Sequence, residues 1–193
     1  MTACRAHSRA ERARWYGALL FGACVLPAAV GGAQNVSPVN TPVPEADIAR
    51  ARDVRSSASL VAGVGASHLR RFDRSTTVRF EYRHAAVFPW RVQPFAGVDA
   101  GEDRSVYVFA GVLRSVALAS RLQFTPSVGA GHFTEGEFVL GYPLEFRSGL
   151  ELSVRLADPL FIGVAVHHVS NGGLGRLNPG SEQVVVFSSV LLR

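Results

Sequence analysis

From Ser57 onward the chain falls into segments of about ten residues, rich in Val, Phe, Tyr and Leu and mostly parted by turn-forming residues. These segments are 57–67, 75–87, 91–100, 104–114, 120–131, 143–156, 159–170 and 181–192. The break at 115–119 is the weakest, since it holds no Gly, Pro, Asn or Asp. In two segments the alternation is sharp. Val78, Phe80 and Tyr82 share one parity, while Arg79, Glu81 and Arg83 share the other. Leu144, Phe146, Leu150, Leu152 and Val154 likewise oppose Glu145, Arg147, Glu151 and Arg155. Successive side chains of a strand point to opposite faces, so each segment carries an apolar face and an ionic one.

Eight such strands in up-and-down order can close on themselves and leave no unpaired edge. In a bilayer only helices and closed barrels satisfy every backbone polar group. No segment in this part of the chain is apolar enough for a membrane helix, so an inserted chain must be a barrel. The expected fold is therefore all-β, an eight-stranded antiparallel transmembrane barrel over residues 57–193. Its apolar face looks outward, and its charged face fills a lumen too narrow to be a channel. Alternation alone also suits a soluble barrel with an apolar core. The long sixth segment, with Tyr82, Trp90, Tyr107 and Tyr142 near segment ends, favours the membrane.

The N-terminus adds an address. Arg5, Arg9, Arg12 and Arg14 precede an apolar run from Trp15 to Val30, and Gly31-Gly32-Ala33 follows. The run is short for a membrane helix and Pro27 interrupts it. Residues 1–33 are expected to be a signal peptide and 34–56, with Pro38, Pro42 and Pro44, a tether. Leu20 to Cys24 could be read as a lipoprotein signal, but the apolar residues after Cys24 argue against it. The expected location is the outer membrane.

Charge and cysteine then narrow the function. Every one of the 20 basic residues is Arg. The formal charge of +5 falls to about +2 without residues 1–33, which hold four Arg and one Glu. Basicity thus gives no support to a nucleic-acid partner. Cys4 and Cys24 both lie in the signal, so the mature chain has no disulfide and no thiolate chemistry.

The candidate chemistry sits in the last two segments. His168 and Ser170 are two apart on a strand, on one side, with backbones about 6.5–7 Å apart. Ile162, Val164 and Val166 share their parity, and Val184 and Val186 share that of Glu182. All three polar residues therefore belong to an apolar, lipid-facing side. With 171–180 as the hairpin loop, Ser170 is expected roughly opposite Glu182, with His168 diagonal to it. Nucleophile, base and orienting carboxylate form a triad on a new scaffold. An unpaired Glu182 on that face would be costly. His167, of opposite parity, is expected in the lumen. His132, Glu135 and Glu137 read as a solvated loop rather than a metal site, and Asp99, Glu102, Asp103 and Arg104 as a charged hairpin tip.

This stretch resembles the lipid A 3-O-deacylase (PagL-type) family, whose motif is His-x-Ser-Asn, a further loop Asn, and a Glu twelve residues after the Ser. Here these are His168, Ser170, Asn171, Asn178 and Glu182. The likeness is close over residues 166–182 and loose elsewhere, and Pro179 follows Asn178 where the family often has a Pro before it. It implies an outer-membrane serine esterase that hydrolyses the 3-O acyl ester of lipid A, without metal or cofactor. Asn178, Asn171 and Gly173 are the expected oxyanion or substrate contacts. Expected partners are lipopolysaccharide and outer-membrane lipids, with a homodimer as the self-association left open. The rival readings are an inert barrel, or an acyltransferase or phospholipase using the same triad.

Overall fold

In the computed structural model, residues 57–70 and 74–192 are described; the signal and tether expectations fall outside them. The strands are β1 (Ser59–Ser67), β2 (Ser75–Arg83), β3 (Gln93–Gly101), β4 (Val106–Leu113), β5 (Val116–Ala117), β6 (Leu122–Thr134), β7 (Leu144–Ala157), β8 (Leu160–Ser170) and β9 (Ser181–Leu191). Each long strand pairs antiparallel with its neighbours, β4 pairs with β6, and β1 pairs with β9. The sheet is thus a closed barrel of eight long strands. The two-residue β5 pairs with β6 inside the weak break at 115–119. The second segment stops early, at Arg83, because 84–92 forms a turn in which Trp90 and Arg91 take positive φ angles of 61° and 60°.

Which face is which follows from burial. Arg79, Glu81, Arg83, Glu145, Arg147 and Glu151 are buried, while Val78, Phe80, Tyr82, Leu144, Phe146, Leu150 and Leu152 are exposed. A soluble barrel would have these faces reversed. The apolar exterior needs lipid around it.

The lumen holds a balanced ionic cluster. Arg79 grips Asp99 bidentately at 2.7 and 2.6 Å, and Arg83 bonds Glu81 at 2.7 Å and Glu151 at 2.8 Å. Arg147 reaches Glu81 at 3.4 Å and lies 4.3 Å above the Phe109 ring. Three guanidiniums thus face three carboxylates, the arrangement that makes buried charge tolerable.

Two sequence expectations are corrected here. Tyr107 is 2% exposed and donates from its hydroxyl to the Glu145 carbonyl at 2.9 Å, so it belongs to the lumen and not to an aromatic girdle. Asp99 is no hairpin-tip charge but a buried lumen partner of Arg79. Asp99 sits two residues before the Gly101-Glu102-Asp103 turn and reads as part of it, while Tyr107 lies in β4, which is apolar on both faces: Tyr107, Phe109 and Leu113 point inward while Val108 and Val112 point out. Hydrophobic alternation cannot orient such a strand.

Candidate active site

The site lies at the end of the barrel where β8 gives way to the loop 171–180. In β8 the pleat sends Val169 and His167 inward and Val166 and His168 outward. His168 stands directly opposite Glu182 of β9, and Val169 opposite Ser181. The expected register, with Ser170 opposite Glu182, is therefore off by two residues. A slip of two was the smallest error open, because His168 and Glu182 must share a face and a slip of one would reverse it. Gly180, with φ of 66°, completes the turn beside the strand end.

His168 Nδ1 is 3.4 Å from Glu182 Oε1, with the imidazole half exposed and the carboxylate 19% exposed. That separation is longer than an ideal hydrogen bond, as acid–base pairs often are before substrate tightens them. With Nδ1 turned to Glu182, Nε2 is the nitrogen left to serve a nucleophile. Ser170, two residues along on the same side, is partly exposed and pairs across β7 with Phe146. A side chain at Gly180 would meet His168 Cε1 at 3.1 Å and Nε2 at 3.8 Å. The glycine therefore leaves room along the edge of the ring where a proton would be exchanged.

The loop is organised by Asn171, which is fully buried. Its Oδ1 accepts from Gly173 N at 2.9 Å, and its Nδ2 donates to the carbonyls of Leu177 at 2.7 Å and Leu140 at 3.1 Å. Gly172 and Gly173, with φ of 64° and 87°, supply the left-handed backbone that this Asx turn needs. Asn171 N in turn donates to Asn178 Oδ1 at 3.1 Å. Asn171 and Gly173 are thus committed to the loop's own bonds. Asn178 is exposed with its oxygen end anchored, and its NH2 end is the part that can donate elsewhere.

The other candidates separate cleanly. His167 is buried and hydrogen-bonded to Arg79 at 2.9 Å and Arg147 at 2.6 Å, inside the lumen. His132 lies on the outer face of β6, and Glu135 accepts from Gly141 N at 3.1 Å. Among the described residues no group of three or more His, Cys, Asp or Glu is placed to hold a metal ion.

A closed barrel with an apolar exterior and polar groups at one rim defines an integral outer-membrane protein, here one carrying an acid–base pair against the lipid. Residues 70–190 match the lipid A 3-O-deacylase (PagL) family, and the chain belongs to it. It is an outer-membrane hydrolase that acts on lipid A. Among solved structures, that of the outer membrane enzyme PagL is 19% identical, with a TM-score of 0.53, covering 69% of this chain and 99% of that one. A de novo designed transmembrane β-barrel is similar at 14% identity and a TM-score of 0.54, covering 71% and 96%. At these identities the likeness concerns the fold alone. No curated protein matches the sequence.

Proposed function

We propose that the deacylation is carried by Ser170, His168 and Glu182. Small outer-membrane barrels begin and end on the periplasmic side, so the end of β8 faces the outer leaflet. An acyl ester of lipid A there can reach the triad without leaving the membrane. His168 Nε2 takes the Ser170 proton as the oxygen attacks the ester carbonyl. Glu182 holds the ring through Nδ1 and steadies the imidazolium that forms. The tetrahedral oxyanion takes a hydrogen bond from the Asn178 amide, while Asn171 and Gly173 hold that amide in place. The sugar hydroxyl leaves with the proton from His168, and water then hydrolyses the acyl-enzyme.

The observation that carries this reading is the pairing of His168 with Glu182 on the lipid face, 3.4 Å apart beside Ser170. All three groups come from adjacent strands of one chain.

Ser170→Ala should leave the barrel folded, with unchanged heat-modifiable gel mobility, and reduce turnover about 10³-fold or more. The measurement is loss of one hydroxyacyl chain from lipid A by mass spectrometry. A folded variant that releases fatty acid at the wild-type rate would remove Ser170 as nucleophile. Removal of a different acyl chain, or its appearance on another lipid, would favour the phospholipase or acyltransferase reading.

A further inference from the structure

Glu182 is approached from two directions. His168 Nδ1 and Arg70 Nε both address Oε1, at 3.4 and 3.2 Å. Arg70 lies just beyond the end of β1, and its side chain is 81% exposed. The turn that carries it is stitched to the start of β9. Leu69 N donates to the Glu182 carbonyl at 3.3 Å, and His68 N donates to Ser181 Oγ at 3.3 Å. Ser181 Oγ also sits 2.9 Å from His68 Nδ1. His68 is buried, with its ring centroid 3.6 Å from that of Phe138 and its Nε2 3.4 Å from Asp103 Oδ2. Burial pushes the Asp103 carboxyl up, but hydrogen bonds from Ser105 and the nearby His68 outweigh it and hold it below the usual carboxylate range. The inner side of the turn is therefore tied down by a set of buried polar contacts.

A carboxylate on a lipid face is costly unless something compensates it. While His168 is neutral it offers Glu182 a hydrogen bond but no charge. Among the described residues, Arg70 is the Arg ion-paired with this carboxylate. We propose that Arg70 is a positioning residue of the active site, pinning Glu182 where His168 Nδ1 meets it, with the His68–Ser181 contacts fixing its turn. This rests on the triad reading and deepens it. The electrical effect of Arg70 runs the other way, since a cation beside Glu182 weakens what the carboxylate offers an imidazolium. At 81% exposure water screens that effect, and orientation is the larger one.

A double-mutant cycle on the full barrel tests this. Arg70→Ala should lower kcat about fivefold with KM nearly unchanged, and Arg70→Lys should recover part of the loss. In a Glu182→Gln background, Arg70→Ala should change kcat by less than about twofold, because the group it positions is altered. Ser181→Ala should behave as a weaker Arg70→Ala and likewise lose its effect in that background. If Arg70→Ala has the same effect in both backgrounds, Arg70 acts on substrate or fold and the proposal is overturned. No effect on kcat in the wild-type background overturns it too. Glu182→Gln alone at the wild-type rate would sink the triad assignment and this proposal together, whereas a slow Glu182→Gln with an additive Arg70→Ala would sink this proposal only.

Discussion

His167 and His168 are neighbours in β8, and one step of the pleat gives them different chemistry. His167 is buried in the lumen against two guanidiniums, Arg79 and Arg147, which can only donate. Its imidazole can serve them only as an acceptor, through Nε2, which lies 2.6 Å from Arg147 and 3.2 Å from Arg79. His168 faces lipid, half exposed, with one nitrogen against a carboxylate and the other edge beside a glycine. Only the second has a proton path to anything outside the barrel. In a wall one strand thick, parity alone separates a residue packed in the lumen from one that can meet a membrane lipid.

The comparison breaks most decisively at His168. His168→Ala removes the proposed base and should lower turnover about 10³–10⁴-fold, since members of a catalytic unit fail together. Its effect on the fold should be slight, because a half-exposed side chain on the lipid face supports little packing. Turnover and gel mobility measured on one preparation check both statements. Substantial turnover by the alanine variant would mean that another group takes the Ser170 proton.

How much of this was legible in the sequence depends on what each strand carries. β2 and β7 alternate charge with hydrocarbon, so the strands and their closure into a barrel could be read directly. Which face meets lipid rested on the long sixth segment and the aromatics near segment ends, and burial decides it. β4 is apolar on both faces, so Tyr107 could not be oriented, and Asp99 was read with the turn that begins two residues after it. His168, Ser170 and Glu182 were legible because parity and spacing suffice to put them on one face at one end. Their register was not, because it depends on how Asn171, Asn178 and Gly180 fold the loop. Arg70, His68 and Ser181 carried no signal at all. Arg70 meets Glu182, and His68 meets Ser181, only because β1 pairs with β9 when the barrel closes, a contact between the two ends of the domain.

Gly180 tests the outward side of the comparison more gently. Gly180→Ala puts a methyl group 3.1 Å from His168 Cε1, on a backbone with φ of 66°. The left-handed conformation costs an L residue about 1–2 kcal/mol, and the ring must shift by a few tenths of an ångström. Small displacements of a reacting group are amplified in rate, so kcat should fall about three- to tenfold while the barrel still folds. Unchanged kcat would show that the proton is exchanged away from this edge of the imidazole.

The smallest expected effect on turnover lies on the inward side. His167 gives Arg79 and Arg147 an acceptor, and its ring fills the space beside Gly149, where an added Cβ would run into His167 Cδ2. Removing the ring entirely would leave two buried guanidiniums short of a partner and open a void, so alanine would confuse folding with function. His167→Gln avoids this, because the amide oxygen can still accept from a guanidinium and most of the volume is kept. The ionic balance of the lumen does not change, since Arg79 keeps Asp99 and Arg83 keeps Glu81 and Glu151. One imperfectly replaced hydrogen bond should cost about 1–2 kcal/mol of stability, seen as a lower temperature for the shift in gel mobility. Turnover per folded barrel should stay within about twofold of wild type, because no catalytic group touches His167 and the backbone of β8 is held on both sides. A loss as deep as that of His168→Ala, in a barrel that still folds, would mean that the lumen cluster takes part in catalysis.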